Sequence, residues 1–147
     1  MPNKWTFTIK PIRELLAREI GGGEWYDPFC GKNSMAKYQN DIEYGGTDAL
    51  TWLRSIKTGV ADGVLYDPPY SITQARMYGK KEFASMKYWK ECKDEIARIL
   101  KPNGRVICFG WSSMGVGKGR GFVMNHILLV PHGGSKNDTI ITVETKS

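Results

Sequence analysis

The sequence predicts an α/β fold with a mostly parallel sheet and an antiparallel strand at its edge. Short apolar runs, two of which end in an aspartate, have the length of buried strands. Other segments place their apolar residues on one helical face. The last two apolar runs have no helix between them, which indicates an antiparallel pair. The runs lie at residues 24–27, 63–67, 124–130 and 139–143, and the helical segments at 11–20, 49–56 and 81–100.

Length and composition fit one domain, spanning residues 1–147, with 41% apolar residues. Residues 1–10 are polar and no apolar run could cross a bilayer, so we expect neither a signal peptide nor a membrane partner. Three cysteines without CxxC spacing favour the reducing cytoplasm over a disulfide framework or a zinc site, and two histidines are too few for most metal sites. The net charge of +6 is compatible with a nucleic-acid partner.

In the first half of the chain, the helix at residues 11–20 begins at Pro11, because proline suits the first helical position, and ends at three glycines. Thr47 or Asp48 is expected to cap the next helix. A helical turn, a second short strand and a turn are also expected. They lie at residues 34–37, 38–41 and 45–46.

In the second half, the long helix at residues 81–100 is expected to stop at the segment Lys-Pro-Asn-Gly, residues 101–104. An apolar strand should follow. A glycine-rich segment after that strand has no periodic pattern and should be irregular. The strand lies at 105–110, the irregular segment at 111–121, a loop at 71–81 and a turn at 131–134.

Asp27 and Asp41 end the first two predicted strands, and Gly31 follows the first of them. Open α/β sheets bind ligands at the carboxyl ends of their strands, where glycine permits close approach of the backbone. A carboxylate after the second strand can accept hydrogen bonds from both ribose hydroxyls of a nucleoside cofactor, and Asp48 could reach an adenine amino group. No GxGxxG or GxxxxGK[ST] motif is present, so nicotinamide and nucleoside triphosphates are not favoured.

The third predicted strand ends in an acid, two prolines and an aromatic residue. Pro68 and Pro69 lack an N–H and fix φ, so they end the strand and set the direction of nearby carbonyls. Asp67 offers acceptor oxygens and Tyr70 offers a flat face. Together these groups suit a planar amino group, which has two hydrogens to donate and a ring to stack.

With these residues assembled, the chain resembles the S-adenosylmethionine-dependent DNA adenine N6-methyltransferases, in the small forms that phages and mobile elements carry. Residues 27–31, Asp-Pro-Phe-Cys-Gly, match that family's cofactor motif, and residues 67–70, Asp-Pro-Pro-Tyr, match its catalytic motif. Residues 101–104 are similar to a segment common in methyltransferases. The resemblance implies a Rossmann-like class I methyltransferase fold and an adenine-specific DNA methyltransferase in the cytoplasm of a bacterium or a phage-infected host.

The resemblance also implies a role for each matching residue. The cofactor S-adenosylmethionine would be bound at its methionine end by the first loop, at its ribose by Asp41 and at its adenine by Asp48. Asp67 and the Pro68 carbonyl would accept hydrogen bonds from the N6 amino group, and Tyr70 would stack on the flipped base. No metal is needed, because orientation of an activated methyl group does most of the work. The cofactor loop comprises Asp27, Pro28, Phe29, Cys30 and Gly31, and the catalytic motif comprises Asp67, Pro68, Pro69 and Tyr70.

Two departures from the family's pattern concern the number of helices and the recognition of DNA. The span from Asp41 to Asp48 is too short for a helix and a strand, so we expect a reduced helix complement. Nothing resembles a target-recognition domain, so a homo-oligomer or a recognition subunit could supply DNA contacts. Basic residues after the third and fourth predicted strands are expected to flank the same site and contact phosphates. They are Arg76, Lys80, Lys81, Lys118 and Arg120.

Two other functions stay open at this stage. The first is methylation of RNA or of a protein glutamine amide, which is also a planar amino group. The second is a cofactor-binding subunit that reads DNA only with a partner. The positive net charge favours nucleic acid over protein as the substrate, and the intact Asp67 and Tyr70 favour an enzyme over a binding module.

Overall fold

The computed structural model describes residues 6–69, 85–131 and 138–147, and this part of the chain forms a six-stranded sheet. The strands are β1 (Trp25–Asp27), β2 (Tyr38–Gln39), β3 (Ala61–Tyr66), β4 (Leu100–Gly110), β5 (Phe122–Val130) and β6 (Thr139–Lys146). Their order is β2-β1-β3-β4-β6-β5. The first four are parallel, and β6 pairs antiparallel with both β4 and β5. The predicted α/β architecture with an antiparallel edge is therefore confirmed.

Helix α1 (Lys10–Glu19) follows a 3₁₀ turn at Thr6–Thr8 and has Pro11 in its first turn, close to the predicted bounds. Its buried face covers one side of the sheet. That side also carries Trp25, Phe109 and Val143 in one cluster with the helix. The buried residues of the helix are Ile12, Leu15 and Leu16.

Residues 34–37 do not form the predicted helical turn. The Ser34 hydroxyl donates to Asp27 and accepts from the Ala36 amide, so a local side-chain turn replaces the helical hydrogen bonds. The predicted strand at 38–41 is also too long, because Asp41 leaves the ladder. Its carboxylate caps the 3₁₀ turn at Ile42–Tyr44.

Helix α2 (Ala49–Ser55) follows almost at once and begins at the predicted cap. The Asp48 carboxylate accepts a hydrogen bond from the Thr51 amide at 3.1 Å. Within residues 40–48, all of which the structure describes, only the 3₁₀ turn stands between β2 and α2. The expected reduction in helices is thus confirmed. Strand β3 begins two residues before the predicted start and ends one residue before Asp67.

Helix α3 (Met86–Ile99) begins later than the predicted residue 81. Ser85 has an extended backbone, with φ −83° and ψ 149°, and its hydroxyl accepts from the Tyr88 amide, so the helix cannot run back through it. Residues 81–84 of the prediction, and the loop predicted at 71–81, lie outside the described residues. The buried face of α3 packs with α2 on the side of the sheet opposite α1.

Helix α3 ends at Ile99, one residue before its predicted end, and strand β4 begins at Leu100, before the segment at 101–104, rather than at residue 105. Leu100 pairs with Ala61 and Arg105 with Gly63, so the four residues between them bulge from the ladder. Asn103 adopts the left-handed conformation there, with φ 66°. The bulge explains why the sequence of this stretch is typical of a turn.

Residues 111–121 are irregular, as predicted, apart from a 3₁₀ turn at Lys118–Arg120. The hairpin that follows is longer than predicted. Strand β5 starts two residues earlier than expected, and β6 runs on to Lys146 because polar residues continue the ladder. Of the turn predicted at 131–134, only residue 131 lies in the described part.

Among the described residues, no helix is both long and apolar enough to cross a membrane.

Candidate functional site

Three aspartates meet at the carboxyl edge of the parallel strands. Asp27 is the last residue of β1, Asp67 directly follows β3, and Asp41 lies two residues after β2. Because β1 pairs in parallel with both β2 and β3, these strand ends face the same edge. All three side chains are buried, and the charges of Asp67 and Asp41 both act on Asp27. The structure therefore brings together the acidic residues that the sequence predicted for one site.

Asp27 is fully buried, and both of its carboxylate oxygens accept hydrogen bonds. The Phe29 amide donates to Oδ1 at 3.1 Å and the Ser34 hydroxyl to Oδ2 at 2.5 Å. Burial nevertheless raises the pKa of Asp27 to about 7, with a smaller contribution from Asp67 and Asp41. Neither Asp27 nor Asp41 forms an ion pair with a described residue. The edge is therefore a negative site that a cationic ligand would fit.

The loop after Asp27 packs tightly beneath this edge. Phe29 is buried against Tyr66, with ring centroids 6.1 Å apart. Gly31 has φ 58°, a conformation that favours glycine, and its amide donates to the Asp41 carboxylate at 2.9 Å. Burial raises the pKa of the Cys30 thiol to about 12, so the thiol stays protonated and is no nucleophile. Cys30, Cys92 and Cys108 are all free and buried.

Asn40 ties this loop to the segments on either side, although the sequence analysis did not single it out. Its side-chain amide donates to the Thr47 carbonyl at 2.9 Å and to the Pro28 carbonyl at 3.3 Å. Its side-chain oxygen accepts from the Thr47 amide at 3.1 Å. A Cβ on Gly46 would overlap that oxygen, so the glycine lets the chain close around Asn40. Asn40 thus fixes Asp41 between the cofactor-motif loop and the start of α2.

Asp48 lies farther along the same edge and serves as the cap of α2. It accepts from the Thr51 hydroxyl at 2.5 Å and from the Tyr88 hydroxyl at 3.4 Å. The side chain is partly exposed. Its predicted contact with an adenine ring stays a prediction.

Asp67, Pro68 and Pro69 are all buried at the end of β3. Burial raises the pKa of the Asp67 carboxyl to about 6, well above that of an aspartate in water. The carboxyl therefore titrates near neutral pH, where it can hold or release a proton. Tyr70, the last residue of the motif, lies outside the described residues.

A cavity of about 490 Å³ opens beside Pro68, between α3 and the segment that follows β4. This volume falls within the range of small-molecule sites. The walls are largely apolar and aromatic, with three basic side chains among them. The lining residues are Tyr66, Pro68, Met86, Trp89, Lys90, Lys93, Cys108, Phe109, Trp111, Ser112, Met114, Gly115 and Arg120.

Solved structures of methyltransferases share this architecture. TrmN from Thermus thermophilus superimposes with a TM-score of 0.61 at 17% identity, over 92% of this chain and 48% of that one. The N-methyltransferase NodS from Bradyrhizobium japonicum WM9, in complex with S-adenosylhomocysteine, gives 0.64 at 10% identity, over 93% and 86%. The 1,6-didemethyltoxoflavin-N1-methyltransferase from Burkholderia thailandensis gives 0.63 at 11%, over 94% and 77%. The chain has the Rossmann-like methyltransferase fold.

The predicted class I methyltransferase fold is thereby confirmed. At these sequence identities the matches show the fold alone. No protein-family model and no curated protein matches the chain. The chain spans about half the length of TrmN, 48%. The substrate must therefore be argued from the side chains that this methyltransferase fold presents.

The basic residues predicted to contact DNA are placed unevenly on the methyltransferase fold. Arg76, Lys80 and Lys81 lie outside the described residues. The segment after β4 descends along α3, and Phe122, just past the 3₁₀ turn, pairs with Lys146. Lys118 is exposed on the 3₁₀ turn at Lys118–Arg120, and its phosphate contact stays a prediction.

Arg120 is held by helix α3. Its guanidinium donates to the Asp94 carboxylate at 2.8 Å, to the Val116 carbonyl at 3.1 Å and to the Lys90 carbonyl at 3.4 Å. Its phosphate contact stays a prediction. Lys90 and Lys93, which line the cavity, are basic residues that sequence reasoning missed. The sequence did not indicate them, because lysines on an amphipathic helix usually lie on its solvated face.

Proposed function

We propose that the protein transfers a methyl group from S-adenosylmethionine to the N6 amino group of adenine in DNA. The observation that carries this proposal is the buried Asp67, followed by two prolines, beside an apolar cavity at the carboxyl edge of the sheet. The cavity has the volume and aromatic walls that suit a planar base taken out of the stack. Basic side chains at the same cavity and the net charge of +6 favour nucleic acid.

The residues at the strand ends fit the proposed cofactor. Asp27 would face the cationic methionine end, Asp41 the ribose hydroxyls and Asp48 the adenine ring. When bound, the cofactor supplies a methyl group on a sulfonium that is already activated for transfer. The remaining task of the protein is to place the amino nitrogen next to that methyl group and to exclude other orientations.

Asp67 and the Pro68 carbonyl would each accept a hydrogen bond from the amino group. The nitrogen lone pair of adenine N6 is delocalised into the ring, and acceptors on both hydrogens favour a nitrogen whose lone pair is available. The nitrogen must shed a proton once it carries the methyl group. With a pKa raised to about 6, Asp67 is largely ionised at neutral pH and can accept that proton.

The direct test is to incubate the protein with S-adenosylmethionine labelled in its methyl group and with duplex DNA, single-stranded DNA, RNA or a protein mixture. Digestion of the labelled product should yield N6-methyladenine from DNA. The Asp67→Asn variant, run in parallel, controls for contaminating activity. Label found only in RNA or only in protein would show that the substrate is not DNA. Label in none of the acceptors would favour a subunit that needs a partner.

Cofactor affinity should rise with pH between about 5.5 and 7.5. Asp27, with a pKa raised to about 7, becomes ionised over this interval and attracts the cationic end of the cofactor. The dissociation constant should fall by roughly tenfold, as one pKa unit corresponds to about 1.4 kcal/mol. Calorimetry at several pH values measures it, and Asp27→Asn should flatten the profile.

The stability linked to Asp27 cannot produce that profile, because it has the opposite sign. A carboxyl whose pKa is raised in the folded state contributes stability that is complete below pH 3.8 and is lost as pH rises through about 7. The folded state is therefore favoured by this group at the acidic end. An equally steep profile in Asp27→Asn would assign the titration to another group.

DNA binding should depend on salt through Lys90 and Lys93. If each contacts a phosphate, replacing both with alanine should reduce the slope of log affinity against log salt by roughly two. The matched control is Lys57→Ala, an exposed lysine that precedes β3 at the opposite edge of the sheet. A titration of Lys118→Ala tests the earlier expectation. If the slope falls in Lys118→Ala and stays unchanged in the double variant, the DNA contacts the 3₁₀ turn instead of Lys90 and Lys93.

A further inference from the structure

Glu144 is a buried carboxylate in the middle of the sheet, where an apolar residue would be expected. It lies on β6, pairs with Val106 on one side and Met124 on the other, and is 1% exposed. Within the described part of the chain it forms no ion pair. A buried charge without a cation is costly, so a specific use of its oxygens must account for its presence.

Both oxygens of Glu144 bind the segment that follows β4. The Val116 amide donates to Oε1 at 2.7 Å and the Gly117 amide donates to Oε2 at 2.9 Å. Two successive N–H groups around a carboxylate form an anion nest, here filled by the protein's own side chain. Gly115 has φ 57°, and a Cβ there would overlap the Glu144 carboxylate. The segment is therefore shaped to accept this side chain.

The same segment is held from the other side by α3. The Val116 carbonyl accepts from Arg120, and Arg120 also binds Asp94 of the helix. One peptide unit of the segment is thus fixed by the sheet through the Gly117 amide, and through the Val116 carbonyl by Arg120, which is itself bound to the helix. Between this point and β4 lie Trp111, Ser112, Met114 and Gly115, which form one wall of the cavity.

We propose that Glu144 is a positioning residue that sets the shape of the substrate cavity through residues 111–117. The inference rests on the proposed function, since it assumes that the acceptor base enters this cavity. Glu144 does not contact the acidic strand ends where the cofactor would bind. Its loss should therefore raise the KM for the nucleic acid while the dissociation constant of the cofactor stays the same.

The test compares Glu144→Gln with the wild type. Glutamine keeps the size but replaces one acceptor oxygen by a donor, which then faces an N–H. We expect the KM for DNA to rise about tenfold, and the amides of Val116 and Gly117 to exchange with solvent faster. The cofactor dissociation constant should change by less than about twofold. Thr142→Val is the matched control, a buried polar residue two positions away on the same face of β6.

A second variant, Gly115→Ala, displaces the carboxylate without changing its charge and should give the same split between KM and cofactor affinity. If Glu144→Gln does not fold, this variant decides the question. Unchanged KM in a variant whose two amides exchange faster would overturn the inference. The inference would also be overturned if Thr142→Val raised the KM for DNA as much as Glu144→Gln does, when the two variants lose the same free energy of unfolding. A wild-type protein that methylates no nucleic acid would instead overturn the proposed function, whatever the exchange data show.

Discussion

An Asp67→Asn variant should lose at least about 100-fold of the methyl-transfer rate and still bind S-adenosylmethionine within about twofold of the wild type. Asparagine fills the same buried volume, but it presents a donor as well as an acceptor and cannot take up a proton. Removing one properly placed electrostatic or proton-accepting group typically costs this much. Single-turnover rates with labelled cofactor, together with calorimetry, measure the two quantities separately.

Asp62→Asn is the matched control for this variant. Asp62 lies on the same strand, β3, but it is partly exposed and pairs with Lys101 at 3.0 Å near the opposite edge. This control should keep nearly full activity. If Asp67→Asn were as active as the wild type, Asp67 would have no part in the chemistry. If cofactor affinity fell as far as the rate, Asp67 would belong to the cofactor site instead.

The same variant should be more stable than the wild type at pH 8. The pKa of Asp67 rises from 3.8 to about 6 on folding, so its favourable contribution is complete below pH 3.8 and is lost as pH rises through about 6. Above that pH the folded state carries a buried charge, which asparagine removes. The gain should be roughly 1–3 kcal/mol in the free energy of unfolding, at about 1.4 kcal/mol per pKa unit. Denaturant unfolding at pH 5 and pH 8 should show the larger gain at pH 8, because pH 5 lies between the unfolded and the folded pKa of this carboxyl.

Asn40→Asp should be the most destabilising conservative change at the carboxyl edge of the parallel strands. The carboxylate would keep the bond from the Thr47 amide, but it would face the carbonyls of Pro28 and Thr47 to which the amide now donates. It would also add a buried negative charge near Asp27 and Asp41. We expect a loss of roughly 2–4 kcal/mol in the free energy of unfolding at pH 7, measured by urea denaturation.

The neighbouring residue provides a control of the same chemistry. Gln39 also donates through its side-chain amide to two carbonyls, those of Ser34 and Ala36, but it is exposed to solvent. Gln39→Glu should cost less than about 1 kcal/mol, because water can solvate the new charge. Equal losses in the two variants would mean that burial of Asn40 contributes nothing.

Much of the fold followed from the sequence because the apolar pattern dominates its main elements. The pattern located α1, α2 and all six strands, and the cap at Asp48 and the proline in the first turn of α1 agree with it. The errors lie where a side chain or a bulge overrides the local pattern. Ser34 turns the chain through its hydrogen bond to Asp27, and Ser85 caps α3 later than predicted. The bulge at residues 101–104 lies within β4, although the sequence of this stretch is typical of a turn.

The acidic half of the site was predictable because parallel strands bring their carboxyl ends together, so Asp27 and Asp67 had to be neighbours. The rest depends on distant contacts that no local pattern encodes. Glu144 binds an amide that lies 28 residues before it in the chain. Lys90 and Lys93 become part of a cavity only because residues 111–115 fold against α3.

The strand order determines when the cavity can form during synthesis. Strand β6 follows β5 in the chain but lies between β4 and β5 in the sheet. As the chain emerges from the ribosome, β5 has no partner and the edge of β4 is open until residues 139–146 are available. Two side chains arrive together on that strand. The Glu144 carboxylate binds the amides of residues 116 and 117, and the Lys146 side chain binds the carbonyls of Ala97 and Leu100 at the end of α3. A nascent chain that carries all three acidic strand ends therefore still lacks the finished cavity.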